Sequence, residues 1–186
     1  FKRDGPKHGL KINYGQNKTV VLLGKCDNDD EVRARVLAYT DRGIPASNIK
    51  IHPDNGGPNE DYGYVHLGVP VGSKEYQILK LNSLVDNFIE SCKCDEIVED
   101  AQSKWVYLLW VIRQKFPFWF RHMCPTVTCL VEAKIETHLR NKFNTVLDLE
   151  CSDRVWEKAC LPVKNHGCGL GKPKDIISAA FAANVE

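Results

Sequence analysis

The sequence predicts an α+β protein, a short-stranded first third followed by a mainly α-helical, bundle-like remainder. Three observations lead there. Apolar runs before residue 73 are short, contain β-branched residues and close on glycine or proline. After Ser73 the apolar residues repeat at three- and four-residue spacing over long stretches, as a helix with one buried face requires. Of 186 residues, 43% are hydrophobic, with four Trp and seven Phe, enough for one sizeable core or two small ones.

The elements follow in order. Thr19 to Leu23 is a valine-containing run ended by Gly24, a strand. Asp29 and Asp30 head a helix with Val32, Val36 and Tyr39 on one side, where the helix dipole favours acids, and Gly43 suits its C-terminal reversal. Ile49 to Ile51 reads as a second strand, and Pro53 to Pro58 as a loop. Tyr64 to Val69 reads as a third strand, closed by Pro70 and Gly72. Ser73 then caps a helix whose stripe is Ile78, Leu81, Val85, Phe88, Ile89 and Cys92. An acidic linker over 93–100 leads to a second helix with Trp105, Leu108, Leu109, Ile112 and Phe116 aligned, and Pro117 should stop or kink it. A third helix from about Thr126 aligns Leu130, Val131, Ile135, Leu139 and Phe143. Ser152 caps a short helix holding Val155 and Trp156 that Pro162 ends, and Pro173 opens an alanine-rich helix through Ala183. Leu81, Leu109 and Leu139 are expected to be buried and to hold three helices together.

The net charge of +1 conceals a block pattern. Residues 1–25 carry +5, residues 26–100 carry −8 and residues 101–145 carry +5. Two basic blocks flanking an acidic one suit a polyanion-facing surface, although solvated helix faces need charge as well. Eight cysteines contain no Cys-x-x-Cys pair, and Cys160, His166 and Cys168 lack a fourth ligand at standard spacing. They are expected to be reduced thiols, several of them filling the core. No stretch reaches the roughly 18 apolar residues of a membrane span. No apolar leader follows Phe1-Lys2-Arg3-Asp4, so an intracellular location, nuclear or cytoplasmic, is expected. Met123 is the sole methionine, which suggests a piece of a longer polypeptide.

Three motifs occur in order. The first is Gly9-Leu10-Lys11-Ile12-Asn13, followed by Lys18-Thr19 and a hydrophobic strand. The second is Val65-His66-Leu67-Gly68-Val69-Pro70-Val71-Gly72. The third is Leu161-Pro162-Val163-Lys164, then Gly167, Gly169 and Leu170. In this order, across essentially the whole chain, they resemble the reverse transcriptases of non-LTR retrotransposons. Two departures are local. Four residues separate Asn13 from Lys18 where the family pattern has two, and His166 replaces the first glycine of a Gly-Gly pair.

The resemblance implies that residues 1–72 are the end of a palm with a primer-grip-like strand, 73–150 a helical thumb-like region and 151–186 a C-terminal helical extension. It implies that Leu67 and Gly68 form the primer-grip turn, and that Lys18 lies near the incoming nucleotide, where a cation neutralises or protonates the departing pyrophosphate. Lys104, Arg113, Lys115, Arg121, Lys134, Arg140 and Lys142 would contact phosphates of an RNA/DNA template–primer duplex. Trp105, Trp110, Trp119 and Phe120 are aromatic candidates for base stacking, with core packing favoured for Trp105. The implied partners are that duplex and the upstream palm and fingers of the same polypeptide. Mg²⁺ would belong to the full-length parent, with no cofactor held by this chain. No catalytic aspartate pair is expected here, since Asp4 stands alone and Asp29-Asp30 heads a helix, so the chain by itself should not polymerise. The alternative is a non-catalytic helical module, decayed or domesticated, that binds nucleic acid or a protein partner.

Overall fold

The computed structural model describes residues 19–93 and 98–185. The first motif, Asp4, Lys18 and Cys94 lie outside them. The chain divides into two compact units, Phe1–Gln77 and Ile78–Glu186.

In the first unit, β1 (Val21–Leu22) and β2 (Ile49–Lys50) pair in parallel, Val21 beside Ile49 and Leu22 beside Lys50. A parallel pair needs a crossover, and α1 (Asp29–Thr40) lies within it. The Asn28 side chain caps α1 by accepting the Glu31 N–H at 2.9 Å, and Asp29, Asp30 and Glu31 fill the first turn. Gly43 takes a φ of 86° in the reversal that follows. Both strands are shorter than the runs that predicted them. Leu23 still donates its N–H to Lys50, but its carbonyl accepts the Tyr62 hydroxyl at 2.9 Å. Beyond it Asn55 clamps Cys26 from both sides, accepting its N–H at 2.8 Å and donating to its carbonyl at 2.9 Å.

The stretch Tyr64 to Val69 is not one strand. β3 (Gly63–His66) and β4 (Val69–Gly72) form an antiparallel hairpin around Leu67 and Gly68. Those two residues have φ values of 50° and 84°, and a two-residue turn left-handed at both positions matches the twist of its flanking strands. Pro70, expected to close the strand, lies inside β4 opposite Val65, where an edge strand tolerates a missing N–H. The open end needs glycine. A Cβ on Gly63 would meet the Tyr76 ring at 2.2 Å, and one on Gly72 the Tyr62 carbonyl oxygen at 2.1 Å. α2 (Lys74–Ser91) follows, capped as expected by the Ser73 hydroxyl, which accepts the Tyr76 N–H at 3.1 Å.

The second unit is helical. Leu81 and Val85 of α2 are buried, with Phe88 half-buried below them. α3 (Ala101–Tyr107), a π turn (Leu108–Ile112) and α4 (Arg113–His122) follow without a break, because Leu108 and Arg113 at the joints keep right-handed helical dihedrals. Pro117 therefore does not stop the helix. It cannot bond the Arg113 carbonyl and its ring crowds it, but the π turn lies immediately N-terminal, where the ladder has already slipped by one residue. That slip also shifts the buried face. Leu108 and Ile112 are buried, whereas Leu109 is only half-buried. Continuation past Pro117 buries Trp119 and Phe120 as well, which removes both from the base-stacking candidates.

α5 (Pro125–Thr128) and a 3₁₀ turn (Cys129–Val131) precede α6 (Glu132–Leu147). Val127, Val131, Ile135, Leu139 and Phe143 point inward, but Leu130 is 58% exposed. The tight 3₁₀ turn rotates the chain further per residue than an α-helix, so Leu130 and its neighbour Val131 cannot share the stripe. α7 (Asp153–Cys160) buries Trp156, Ala159 and Cys160, with Ser152 at the N-cap position but making no side-chain cap bond. α8 (Pro173–Val185) packs on α4 and buries Ile177. Two aromatic groups tie the unit together. Phe116 meets Phe88 edge-on at 5.5 Å and Trp119 at 6.0 Å, while Phe143 lies between Trp105 and Trp156 at 6.1 and 6.0 Å. The Trp156 indole donates to Glu136 at 3.0 Å, so its polar edge is satisfied on burial.

Candidate nucleic-acid interface

The hairpin presents its turn to solvent. Leu67 is 83% exposed at the tip, an apolar side chain on a left-handed backbone whose slight burial offsets little of the conformational cost. Gly68 completes the turn at no steric cost. On β3, Tyr64 and His66 share one face, with ring centroids 6.0 Å apart, and both precede the tip. Neither is among the candidate site residues that the sequence suggests. The two-residue alternation along Gly63–His66 is the signal that could have found them.

The seven lysines and arginines of residues 101–145 separate into two groups. Four are occupied internally. Arg113 donates its Nε to the Leu170 carbonyl at 2.9 Å. Lys134 reaches Asp86 at 2.9 Å and Asn82 at 3.3 Å. Arg140 donates to the Cys151 carbonyl and pairs with Asp153, both at 2.8 Å, and the Asp153 carboxylate holds its pKa above the ordinary arginine value. Lys142 donates to the Cys92 carbonyl at 2.6 Å. Each of these tethers a helix or loop to another part of the unit, the structural use of a long cationic side chain.

Three remain at the surface. Lys115 and Arg121 are exposed on α4 and Lys104 is half-buried on α3. The Lys115 ammonium lies 5.5 Å from the ring centres of both Phe118 and Trp119. His122 caps this end of α4, its Nδ1 2.7 Å from the Phe118 carbonyl oxygen and its ring 4.8 Å from that of Phe118. Of these seven, the exposed ones, Lys115 and Arg121, both lie on α4.

The third motif has a structural role. Leu170 is fully buried, and the loop before it folds back on the end of α7: Cys168 and Leu170 donate to the Ala159 carbonyl and Gly169 to that of Leu161. A Cβ on Gly167 would meet the Leu161 carbonyl oxygen at 2.1 Å. His166, standing where the family pattern has glycine, adopts a φ of 59°.

Among the described residues neither acids nor thiols converge on a cation site. Asp29 and Asp30 are exposed in the first turn of α1, and among the described residues no three His, Cys, Asp or Glu side chains could hold a metal ion together. Cys26, Cys92, Cys151 and Cys160 are buried, and burial pushes the Cys160 thiol up to about 12, so it stays protonated at neutral pH. Among the described residues no helix is long and apolar enough to cross a membrane. Compared with protein-family models, with curated proteins and with solved structures, the chain matches none.

Proposed function

We propose that this chain is part of a retroelement reverse-transcriptase-like protein and serves to position a template–primer duplex rather than to carry out nucleotidyl transfer. The observation behind this reading is the tip of the hairpin. A bulky apolar residue held in a left-handed conformation at a solvent-facing turn is costly, and strain of that kind collects where a ligand is gripped. The motif containing this tip stands second among three in the order that non-LTR reverse transcriptases share. Independently, the second unit offers Lys104, Lys115 and Arg121 at its surface, where cations fix a duplex through its phosphates without reading sequence. Transfer itself would need carboxylates on a metal pair supplied from elsewhere in the parent polypeptide.

The test is the salt dependence of duplex binding, followed by fluorescence anisotropy of a labelled RNA–DNA primer duplex. Each phosphate contact contributes roughly −0.9 to the slope of log affinity against log salt. Neutralising Lys104, Lys115 and Arg121 together should therefore flatten the slope by roughly 2 to 3 units relative to the unaltered chain. Affinity that is independent of salt, or a slope that the triple variant leaves unchanged, would overturn the assignment of these residues.

A further inference from the structure

We propose that the exposed ridge running along α3, the π turn and α4 pairs with the same ridge of a second copy of the chain, antiparallel, about a two-fold axis between Trp110 and Val111. This helix buries Leu108, Ile112, Phe116, Trp119 and Phe120 on one side. Its opposite side is not polar in the middle. Trp110 is 71% exposed, flanked by Val106 at 49% and Val111 at 46%. Val106 and Trp110 lie four residues apart, which sets their side chains on one face of the continuous helix.

Charge selects the occupant. At the N-terminal end of the ridge Glu99 and Asp100 are exposed, and at the C-terminal end Lys115, Arg121 and His122 are exposed. A polyanion laid along the whole ridge would meet the acids, and a copy in parallel would set like charges against like. An antiparallel copy reverses the gradient. The register that places Trp110 against the partner's Val111 also places Asp100 against the partner's Arg121 and Glu99 against the partner's His122. The same register lays Val106 along the aliphatic stem of the partner's Lys115. Opposed helix dipoles add in the same direction. An isologous contact of this kind is self-complementary, as two-fold symmetry demands. One helix face, about 33 Å long at 1.5 Å per residue, is small for a protein interface, so the association should be reversible and in the micromolar range.

Sedimentation equilibrium of the 186-residue chain without nucleic acid tests this. The expected result is a monomer–dimer equilibrium that Trp110→Asp weakens at least tenfold. Arg121→Glu and Asp100→Lys should each weaken it, and the two together should recover most of the lost affinity by restoring opposite charges across the axis. A monomer at every concentration would overturn the proposal, as would a dimer indifferent to Trp110→Asp or a double variant no better than the singles. Lys115 and Arg121 are also the duplex-facing residues proposed above, so added duplex should compete with dimerisation. Because the measurement is made without duplex, its failure leaves duplex binding untouched.

Discussion

Replacing Leu67 by asparagine should stabilise the hairpin while loosening its hold on a duplex. An L-residue other than glycine in the left-handed region loses roughly 1–2 kcal/mol, and asparagine recovers part of this through local hydrogen bonding, a gain of about 1 kcal/mol. The opposing loss is small. Leu67 is 83% exposed, so only about a sixth of the roughly 1.5–3 kcal/mol for burying a leucine is forfeited, near 0.4 kcal/mol. The net expectation is a stabilisation of about 0.5 kcal/mol. Leu67→Gly should be close to neutral, because relief of strain is offset by roughly 0.5–1 kcal/mol of added freedom in the unfolded chain. Leu67→Val should destabilise, since branching at Cβ crowds a positive φ further. Urea titrations, with amide hydrogen exchange followed across Gly63–Gly72, would rank the three. A ranking with valine best, or an asparagine variant less stable by more than about 0.5 kcal/mol, would refute the strain argument. Stability that rises while duplex affinity falls would mark the turn as one strained for use.

Three further outcomes are expected. Phe120→Ala removes a fully buried ring beyond Pro117 and should cost about 3–5 kcal/mol in urea unfolding, whereas a surface aromatic would cost little. His166→Gly in the loop after α7 should leave urea stability nearly unchanged, like Leu67→Gly, because relief of a φ of 59° is offset by roughly 0.5–1 kcal/mol of added freedom in the unfolded chain. The Cys160 thiol has its pKa raised by burial from 9.0 to about 12, so the unfolded chain releases this proton first as pH rises. Its contribution is fully present below pH 9, declines as pH climbs toward 12, and should be missing from the alkaline unfolding profile of Cys160→Ala. Burial raises the Tyr76 pKa as well, with the same sign, so that profile should be compared with Tyr76→Phe.

The helical stripes were legible because burial imposes a period. Leu81, Val85, Ile135, Leu139 and Phe143 are all buried where spacing placed them. The failures cluster where the backbone leaves the α-helical step. The π turn moved burial from Leu109 toward Leu108, and the 3₁₀ turn turned Leu130 outward, and neither slip can be read from hydrophobicity alone. Pro117 misled in the same region, because proline's penalty depends on what the preceding turn does with its carbonyl. Residue pattern alone reads Tyr64 to Val69 as one strand, because a Leu-Gly turn lacks the Asn or Asp that ordinarily announces left-handed residues, whereas the resemblance implies a turn at Leu67 and Gly68. At the candidate interface, sequence supplied the seven cations of residues 101–145 but not their partners. Only tertiary structure could show that Arg113, Lys134, Arg140 and Lys142 are engaged within the protein.

The division into two units has a spectroscopic consequence. All four tryptophans, Trp105, Trp110, Trp119 and Trp156, belong to Ile78–Glu186, while five of the six tyrosines, every one except Tyr107, belong to Phe1–Gln77. Indole fluorescence excited at its red edge therefore follows the helical unit alone, and phenol absorbance follows chiefly the unit with the hairpin. The chain contains two built-in optical channels. Coincident denaturation curves in both would mean that the two units melt as one cooperative body, and separated curves would assign each transition to its unit without any label.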